Sequence, residues 1–171
     1  MKRSMIMAGI LAWLTGGTSA HALQVGDMVP DVAVPSTSGE VVNLKEMPGS
    51  WKVLFFYPKA FTPGCTSQAC AMRDANEDIM AMGVKIFGAS VDSLKTQQEF
   101  KAKHNLPYDL LADENKELAK AFDALGMIGF ASRKTYIIDP DGKITDIIGS
   151  VSVGSHDQDV MDLLKAHIAA E

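Results

Sequence analysis

Two short apolar runs limit the folds open to this chain more than any other feature of its sequence. The runs are WKVLFFY, from Trp51 to Tyr57, and VKIFGAS, from Val84 to Ser90. Both are nearly continuous in apolar residues, whereas a strand with one face in water alternates apolar and polar positions. The sequence therefore predicts two strands covered on both faces, which requires helices on either side of a sheet.

Helical and hairpin patterns supply the rest of this layout. The segments TYIID and KITDIIG flank a Pro-Asp-Gly turn, which favours a β-hairpin. A small β segment comes first, and the order of elements resembles a thioredoxin-like α/β fold, with a central mixed sheet flanked by helices and an N-terminal β extension. Ser93 and Ser155 are candidate N-caps. Four segments have helical apolar spacing: Thr66 to Met82, Leu94 to His104, Glu114 to Leu125, and Asp157 to Ala170.

The N-terminus has the parts of a secretory signal peptide. Lys2 and Arg3 precede an apolar core from Met5 to Leu14, and small residues then lead to Ala22. The core is too short for a membrane-spanning helix, which needs roughly 20 apolar residues, so cleavage after Ala22 is favoured over an uncleaved anchor. We expect a cleaved signal peptide at residues 1–22 and a bacterial protein that is periplasmic or secreted.

The remaining residues, 23–171, fit one domain with a core that needs no disulfide staples. Removal of Lys2 and Arg3 lowers the 16 basic residues to 14, against 21 acidic residues, which gives a net charge of −7. We find no basic stripe of the kind that a nucleic-acid site needs. Nucleic acid is therefore not an expected partner, and neither is a membrane after signal cleavage.

Both cysteines lie in one segment, FFYPKAFTPGCTSQAC, from Phe55 to Cys70. Thr62-Pro63-Gly64 follows the first predicted strand and precedes the first predicted helix, so Cys65 falls in the first helical turn. There the helix dipole and unpaired backbone N–H groups stabilise a thiolate, the reactive form of cysteine. Position alone makes Cys65 a candidate nucleophile.

The separation of the two thiols does not suit a disulfide within a regular helix. Cα atoms five residues apart on an ideal helix are about 8.7 Å from each other, whereas a disulfide tolerates at most about 7 Å. A bond between Cys65 and Cys70 would require the first helical turns to unwind, as in a switch between two conformations. The alternative is a structural disulfide in a segment that is never helical, although so short a closed loop would stabilise little.

Around the thiols the residue pattern becomes specific. PKAFTPGC contains P-x-x-x-T-x-x-C, and together with the downstream RKTYIID it resembles the peroxiredoxins. The complete TPGCTSQAC is similar to their bacterioferritin comigratory protein, or Q-type, subgroup, and the resemblance covers nearly all of the chain from residue 25 to residue 169. It implies that Cys65 attacks peroxide and that Pro58 shields the thiolate. It also implies that Thr62 and Arg133 hold the peroxide oxygens.

The resemblance further implies a reaction cycle. Hydrogen peroxide and organic hydroperoxides would be reduced to water and alcohols, which leaves a sulfenic acid at Cys65. Cys70, the only other thiol, would convert it to an intramolecular disulfide, and a thioredoxin-like or other dithiol protein would reduce that bond by exchange. Cytosolic thioredoxin could not reach an exported protein. The subgroup implies a monomer.

Two other classes of function compete with this one. An exported thioredoxin-like thiol-disulfide oxidoreductase or a copper-delivery module would call for C-x-x-C, or for C-x-x-x-C with a partner histidine, and the spacing here matches neither. The third class is a non-enzymatic domain with an inert disulfide. For single residues, Arg133 could be an ordinary solvated side chain, and Thr62 with Pro63 could form only a helix cap.

The histidines give no sign of a metal site. His104, His156 and His167 show no metal-ligand spacing with either cysteine, and such histidines usually lie at the surface or at helix ends. We therefore expect neither a metal nor another cofactor.

Overall fold

The structure is a computed structural model that describes residues 22–170. The signal-peptide prediction falls on residues outside this range, apart from Ala22, and stays a prediction. The elements in chain order are β1 (Ala33–Pro35), β2 (Val41–Asn43), a short 3₁₀ helix (Leu44–Glu46), β3 (Lys52–Phe56), α1 (Pro63–Asp74), α2 (Asn76–Ala81), β4 (Lys85–Ser90), α3 (Leu94–His104), β5 (Asp109–Ala112), α4 (Glu117–Ala121), β6 (Thr135–Ile138), β7 (Ile144–Ile148) and α5 (His156–Ile168).

Five strands form the central sheet, in the order β5-β4-β3-β6-β7. The middle strand, β3, pairs in parallel with β4 and antiparallel with β6, so the sheet is mixed. β5 extends the parallel side, and β7 pairs antiparallel with β6 through the predicted hairpin. β1 and β2 form a separate antiparallel pair. The predicted α/β layout with an N-terminal β extension is therefore confirmed.

The residues of β3 are all buried, because alternate side chains face two different apolar clusters. Val53 and Phe55 pack in the cluster that contains residues of α1 and α5. Leu54 and Phe56 pack in the cluster that contains residues of α4. The sheet is covered on both faces, as the nearly continuous apolar run predicts.

The first predicted helix, Thr66 to Met82, is divided in the structure. α1 begins earlier, at Pro63, where the missing N–H group of proline costs no helical hydrogen bond. It ends at Asp74, since the backbone of Ala75 (φ −84°, ψ −6°) departs from regular helical geometry, and α2 follows. Both cysteines consequently lie on one uninterrupted helix.

The predicted helix from Glu114 to Leu125 is shorter in the structure, where α4 spans Glu117–Ala121. Lys116 before it and Asp123 after it have φ values of 63° and 51°. This left-handed conformation cannot continue a right-handed helix, so the two residues set its limits.

One strand, β5, is missing from the sequence prediction. It pairs in parallel with β4, and its outer edge is covered by the N-terminal segment. There the N–H group of Leu110 donates to the Thr37 hydroxyl at 3.0 Å, and the N–H group of Thr37 donates to the carbonyl of Leu110 at 3.0 Å. So short a run has no periodicity of its own, and its extended shape comes from these partners.

The two remaining helices match their predicted positions closely. α3 begins after Ser93, whose hydroxyl accepts a hydrogen bond from the N–H group of Thr96 at 3.2 Å, so this N-cap prediction is confirmed. Ser155 is the N-cap residue of α5, but its hydroxyl bonds to Asp159 instead of capping the helix.

Within residues 22–170, no helix combines the length and the apolar character needed to cross a bilayer.

Candidate active site

Cys65 is the third residue of α1 and is almost fully buried, with 1% of its surface exposed. Thr62 occupies the N-cap position with an extended backbone (φ −77°, ψ 150°), and Pro63 is the first helical residue. The first N–H groups of a helix lack partners within it and carry the positive end of its dipole. The sulfur of Cys65 therefore lies where negative charge is stabilised, as predicted.

Arg133 contacts this sulfur directly. Its Nη2 donates to the Sγ atom of Cys65 at 3.2 Å. The contact follows from the sheet: β3 and β6 are antiparallel, with Phe55 opposite Thr135, so the residues before β6 lie beside the chain that leaves β3. A guanidinium at this distance favours the thiolate over the thiol. Arg133 is half-buried and bonded, which does not fit an ordinary solvated arginine.

Gln68 is a part of the site that sequence analysis missed. It is fully buried, and its Oε1 accepts a hydrogen bond from Nη1 of Arg133 at 2.6 Å. Gln68 lies three residues after Cys65 and thus on the same side of α1, which is a spacing that could have revealed it. One helix face therefore carries both the sulfur and the group that orients the arginine. The Nε2 atom of Gln68 has no hydrogen-bond partner among the described residues.

The loop between β3 and α1 holds the other two predicted residues. Pro58 is half-buried in the bend after β3. The hydroxyl of Thr62 donates to the carbonyl of Lys59 at 2.8 Å and makes no cap hydrogen bond. Phe61 next to it has a φ of 65°, a strained conformation for an aromatic residue. Thr62 is thus at the cap position, and its predicted role toward peroxide stays a prediction.

Cys70 is not bonded to Cys65, and both thiols are free. It lies further along α1, half-buried, with its Sγ atom 3.9 Å from Nδ1 of His104 at the end of α3. Because α1 is continuous between the cysteines, their Cα atoms have the helical separation that is too long for a disulfide. The structure holds the dithiol form of the pair.

His156 is the first residue of α5 and so lies at a helix end, as expected, but it is fully buried. Its Nε2 is hydrogen-bonded with the hydroxyl of Thr135 at 2.8 Å, and its ring packs edge-on against Phe55. Burial lowers the pKa of His156 to about 4, and the charge of Arg133 acts in the same direction. His156 is therefore neutral at physiological pH. Across residues 22–170 no cluster of three or more potential ligands could hold a metal ion.

The sequence matches the AhpC/TSA family over residues 25–147. Peroxiredoxin Bcp of Bacillus subtilis (strain 168) is 36% identical over 151 residues, which cover 84% of this chain and 96% of that protein. Peroxiredoxin Bcp of Escherichia coli (strain K12) is 35% identical over 154 residues, which cover 86% and 99%. The solved structure of the Xanthomonas campestris bacterioferritin comigratory protein has a TM-score of 0.79 and 30% identity, covering 85% of this chain and 98% of that one.

A mixed sheet between helices, with a reduced cysteine at a helix start, defines a thioredoxin-like protein whose chemistry is that of a thiol. The chain belongs to the AhpC/TSA family and, within it, to the peroxiredoxins of the bacterioferritin comigratory protein type. The resemblance drawn from the cysteine segment and the thioredoxin-like fold are both confirmed. Peroxiredoxins are peroxidases that use a thiol reductant, so the predicted class of enzyme is confirmed as well.

Proposed function

We propose that this peroxiredoxin reduces hydrogen peroxide and organic hydroperoxides through Cys65 and closes its cycle with a disulfide between Cys65 and Cys70. The observation that carries the proposal is the 3.2 Å contact between Arg133 and the sulfur of Cys65 at the start of α1. Organic hydroperoxides are included because the X. campestris relative is described in terms of its alkyl peroxide reduction activity.

In the first step the thiolate of Cys65 attacks one oxygen of the peroxide. A sulfur–oxygen bond forms and the O–O bond breaks, so that the sulfur is oxidised to a sulfenic acid and the other oxygen leaves as hydroxide or alkoxide. Negative charge builds on the leaving oxygen, and the guanidinium of Arg133 stabilises it most in the transition state. A proton from solvent completes water or alcohol. In this proposal Thr62 also holds a peroxide oxygen and Pro58 shields the thiolate, the roles that the family resemblance implies for them.

In the second step the thiol of Cys70 attacks the sulfenic sulfur. The S–S bond forms, the S–O bond breaks, and the hydroxide leaves as water with the thiol proton. The continuous α1 keeps the thiols apart, so this step requires local unfolding between them. A dithiol protein then reduces the disulfide by exchange.

The reductant and the location belong to the same proposal. The N-terminal signal sequence supports export of residues 23–171, as one catalytic domain, to the periplasm or the medium. Membership in the Q-type subgroup supports a monomer. An exported, thioredoxin-like dithiol protein is the expected reductant, since the cytosolic pool is not accessible there. Location can be tested by fractionating cells that express the full chain and measuring the mass of the exported form, which should begin at Leu23.

The catalytic proposal is tested by peroxide consumption by the pre-reduced protein. Cys65→Ser should abolish consumption, whereas Cys70→Ser should consume one equivalent and then stop, because a sulfenic acid forms but no disulfide follows. Equal turnover by parent and Cys65→Ser would overturn the role of Cys65. Sustained turnover by Cys70→Ser with a dithiol protein reductant would overturn the intramolecular disulfide.

A further inference from the structure

His104 lies beside Cys70 and has no part in the chemistry described so far. It is the last residue of α3, and its Nδ1 atom is 3.9 Å from the sulfur of Cys70 on α1. The two helices are joined at this point, because Nη1 of Arg73 donates to the carbonyl of His104 at 2.9 Å. The imidazole is thus held against the thiol by a backbone contact.

Two aromatic rings fix the orientation of the imidazole. Phe100, one turn earlier on α3, packs against it with ring centroids 5.1 Å apart, and Phe61 packs against it at 6.4 Å. Phe61 precedes Thr62, so His104 contacts the loop that leads into the active site as well as Cys70. These contacts limit rotation of the ring away from the sulfur.

The other polar groups around Cys70 cannot take a proton from it. Arg73 is a cation, and its Nε is engaged by the carboxylate of Asp74 at 2.8 Å. The hydroxyl of Tyr108 donates to the carbonyl of Ala69 at 2.6 Å, and burial raises the pKa of Tyr108 well above its ordinary value, so the phenol stays protonated. Lys103, the neighbour of His104 on α3, lies over the ring of Phe61 as a cation. Among the described groups, His104 is the base next to this thiol.

We propose that His104 removes the proton from the thiol of Cys70 and thereby prepares it to attack the sulfenic acid at Cys65. The neutral imidazole, protonated at Nε2, accepts the proton at Nδ1. The Cys70 thiolate then forms the S–S bond as the S–O bond of Cys65 breaks, and the hydroxide takes the proton back as water. The inference rests on the proposed function, because it concerns the second step of that cycle.

The step gains from a base because a thiol is a poor nucleophile until it ionises. An ordinary thiol is only about 3% ionised at neutral pH, whereas an ordinary imidazole is largely neutral there and able to accept a proton. Cys70 lies against His104 only while α1 is folded. The proton is therefore transferred before the helix opens, and the thiolate of Cys70 reacts with Cys65 before solvent returns a proton to it.

The test follows disulfide formation after one equivalent of hydrogen peroxide, by quenched flow and mass spectrometry, from about pH 5.5 to about pH 9. In His104→Gln the rate of disulfide formation should fall about three- to tenfold at neutral pH. A base can raise the rate because only a small fraction of an ordinary thiol is ionised there, but the gain is limited because a more acidic thiol is a weaker nucleophile once it has ionised. The deficit should shrink as the pH rises, because hydroxide then removes the thiol proton without help from His104. Added imidazole should restore the rate of His104→Ala. His167→Gln is the matched control, since His167 also lies in the last turn of a helix but pairs with Asp146 of β7 instead of a cysteine.

Each outcome has one meaning. If the parent forms no disulfide between Cys65 and Cys70, the proposed function fails, and the sulfenic acid yield in Cys70→Ser shows whether its first step fails too. If the parent forms the disulfide but His104→Gln keeps the parental rate and pH profile, the role of His104 is overturned. A slowing that is equal at every pH, without rescue by imidazole, would indicate a structural role and would also overturn it.

Discussion

Arg133 makes two contacts with α1 at once, one to the sulfur of Cys65 and one to the amide of Gln68. The second contact fixes the guanidinium plane, so that the first donor points at the sulfur of Cys65. A charge that is already in position needs no reorganisation when negative charge develops, and this is the main source of transition-state stabilisation in such sites. The geometry therefore makes definite predictions for single residues.

Replacing Arg133 by alanine removes both donors and the charge. We expect the rate constant for peroxide to fall by about 10² to 10³, or about 3 to 4 kcal/mol of transition-state stabilisation, with the fold intact. Arg133→Lys keeps the charge but not the planar fork and should lie between the two. Stopped-flow measurement of Cys65 oxidation in a Cys70→Ser background gives the rate. A variant within threefold of parent would show that Arg133 takes no part.

Gly64 offers a way to displace the guanidinium without deleting it. A Cβ atom at this position would lie 2.9 Å from Nη2 of Arg133, too close for an undisturbed side chain. Because alanine is a better helix former than glycine by up to about 1 kcal/mol, this gain offsets part of the cost of moving Arg133 away from Gln68, and Gly64→Ala should stay folded. We expect its peroxide rate to fall about tenfold. Urea unfolding measures the stability of the variant, and the stopped-flow assay of Cys65 oxidation measures its peroxide rate. An unchanged rate would contradict the positioning of Arg133.

His156 should make stability depend on pH. Its pKa of about 4 in the folded protein is below the ordinary value near 6.5, so the unfolded chain binds the proton more readily. Burial of the neutral imidazole therefore has its full effect on stability above about pH 6.5. As the pH falls toward 4, the free energy of unfolding decreases by about 2 to 3 kcal/mol, because protonation favours the unfolded chain. Urea unfolding of the parent and of His156→Gln at pH values near 7 and 4.5 measures the difference. If the parent and His156→Gln lose the same amount of stability between the two pH values, the prediction for His156 is wrong.

Sequence patterns predicted the proposed reacting groups better than the groups that support them. Cys65 and Arg133 stand in motifs whose spacing is set by chemistry, whereas Gln68 and His104 matter through contacts that form only when elements pack together. His156 lies at a helix end, as expected, but its burial was not predicted, because nothing in the sequence shows that the start of α5 packs against Phe55 in the sheet. Tertiary burial of a polar side chain leaves little trace in the sequence around it.

At the scale of elements, length decided what could be predicted. The long runs that form β3 and β4, the hairpin and α3 were predicted closely, since each carries enough residues to show a period. The short β5 was missed, because its shape depends on β4 and on the N-terminal segment beside it. α4 was predicted too long, because Lys116 and Asp123 adopt a left-handed backbone conformation that is usually signalled in a sequence by glycine, and neither residue is a glycine.

α1 is the element on which the proposed catalytic cycle depends. It is continuous from Pro63 to Asp74 in the dithiol form, so disulfide formation must replace helical hydrogen bonds near its start. We expect faster amide exchange from Thr66 to Arg73 after peroxide oxidation, measured by mass spectrometry on the reduced and oxidised protein. Oxidised Cys70→Ser is the control and should keep its protection, because no disulfide can form. Equal or greater protection in the oxidised parent would mean a pre-formed bridge, and the switch would have to be abandoned.

At the scale of the whole molecule, replacing helical hydrogen bonds of α1 by a disulfide makes the two redox forms differ in stability. Cys65, Ala69 and Met72 project from α1 into the apolar cluster on one face of the sheet, and each is almost completely buried. Opening the first turns of α1 disturbs this packing, and full exposure of one large apolar side chain costs about 1.5 to 3 kcal/mol. Against this, closing a loop as short as that between the cysteines stabilises by about 2 kcal/mol in the chain-entropy model.

The loss of helical hydrogen bonds comes in addition to the loss of packing, so the disulfide form should be the less stable of the two. A deficit of 1 to 2 kcal/mol corresponds to a melting temperature lower by about 3 to 6 °C for a domain of this size. By the thermodynamic cycle it also raises the reduction potential by about 20 to 40 mV over that of a pair in an unfolded chain, so an outside dithiol reduces the bond more easily. Calorimetry of the dithiol and disulfide forms measures the first quantity, and equilibration with a thiol redox buffer measures the second. The double variant Cys65→Ser/Cys70→Ser is the control and should melt at the same temperature under reducing and oxidising conditions. If the disulfide form melts at the same temperature or higher, the bridge stabilises the native fold, and α1 then does not oppose the bond between its two cysteines.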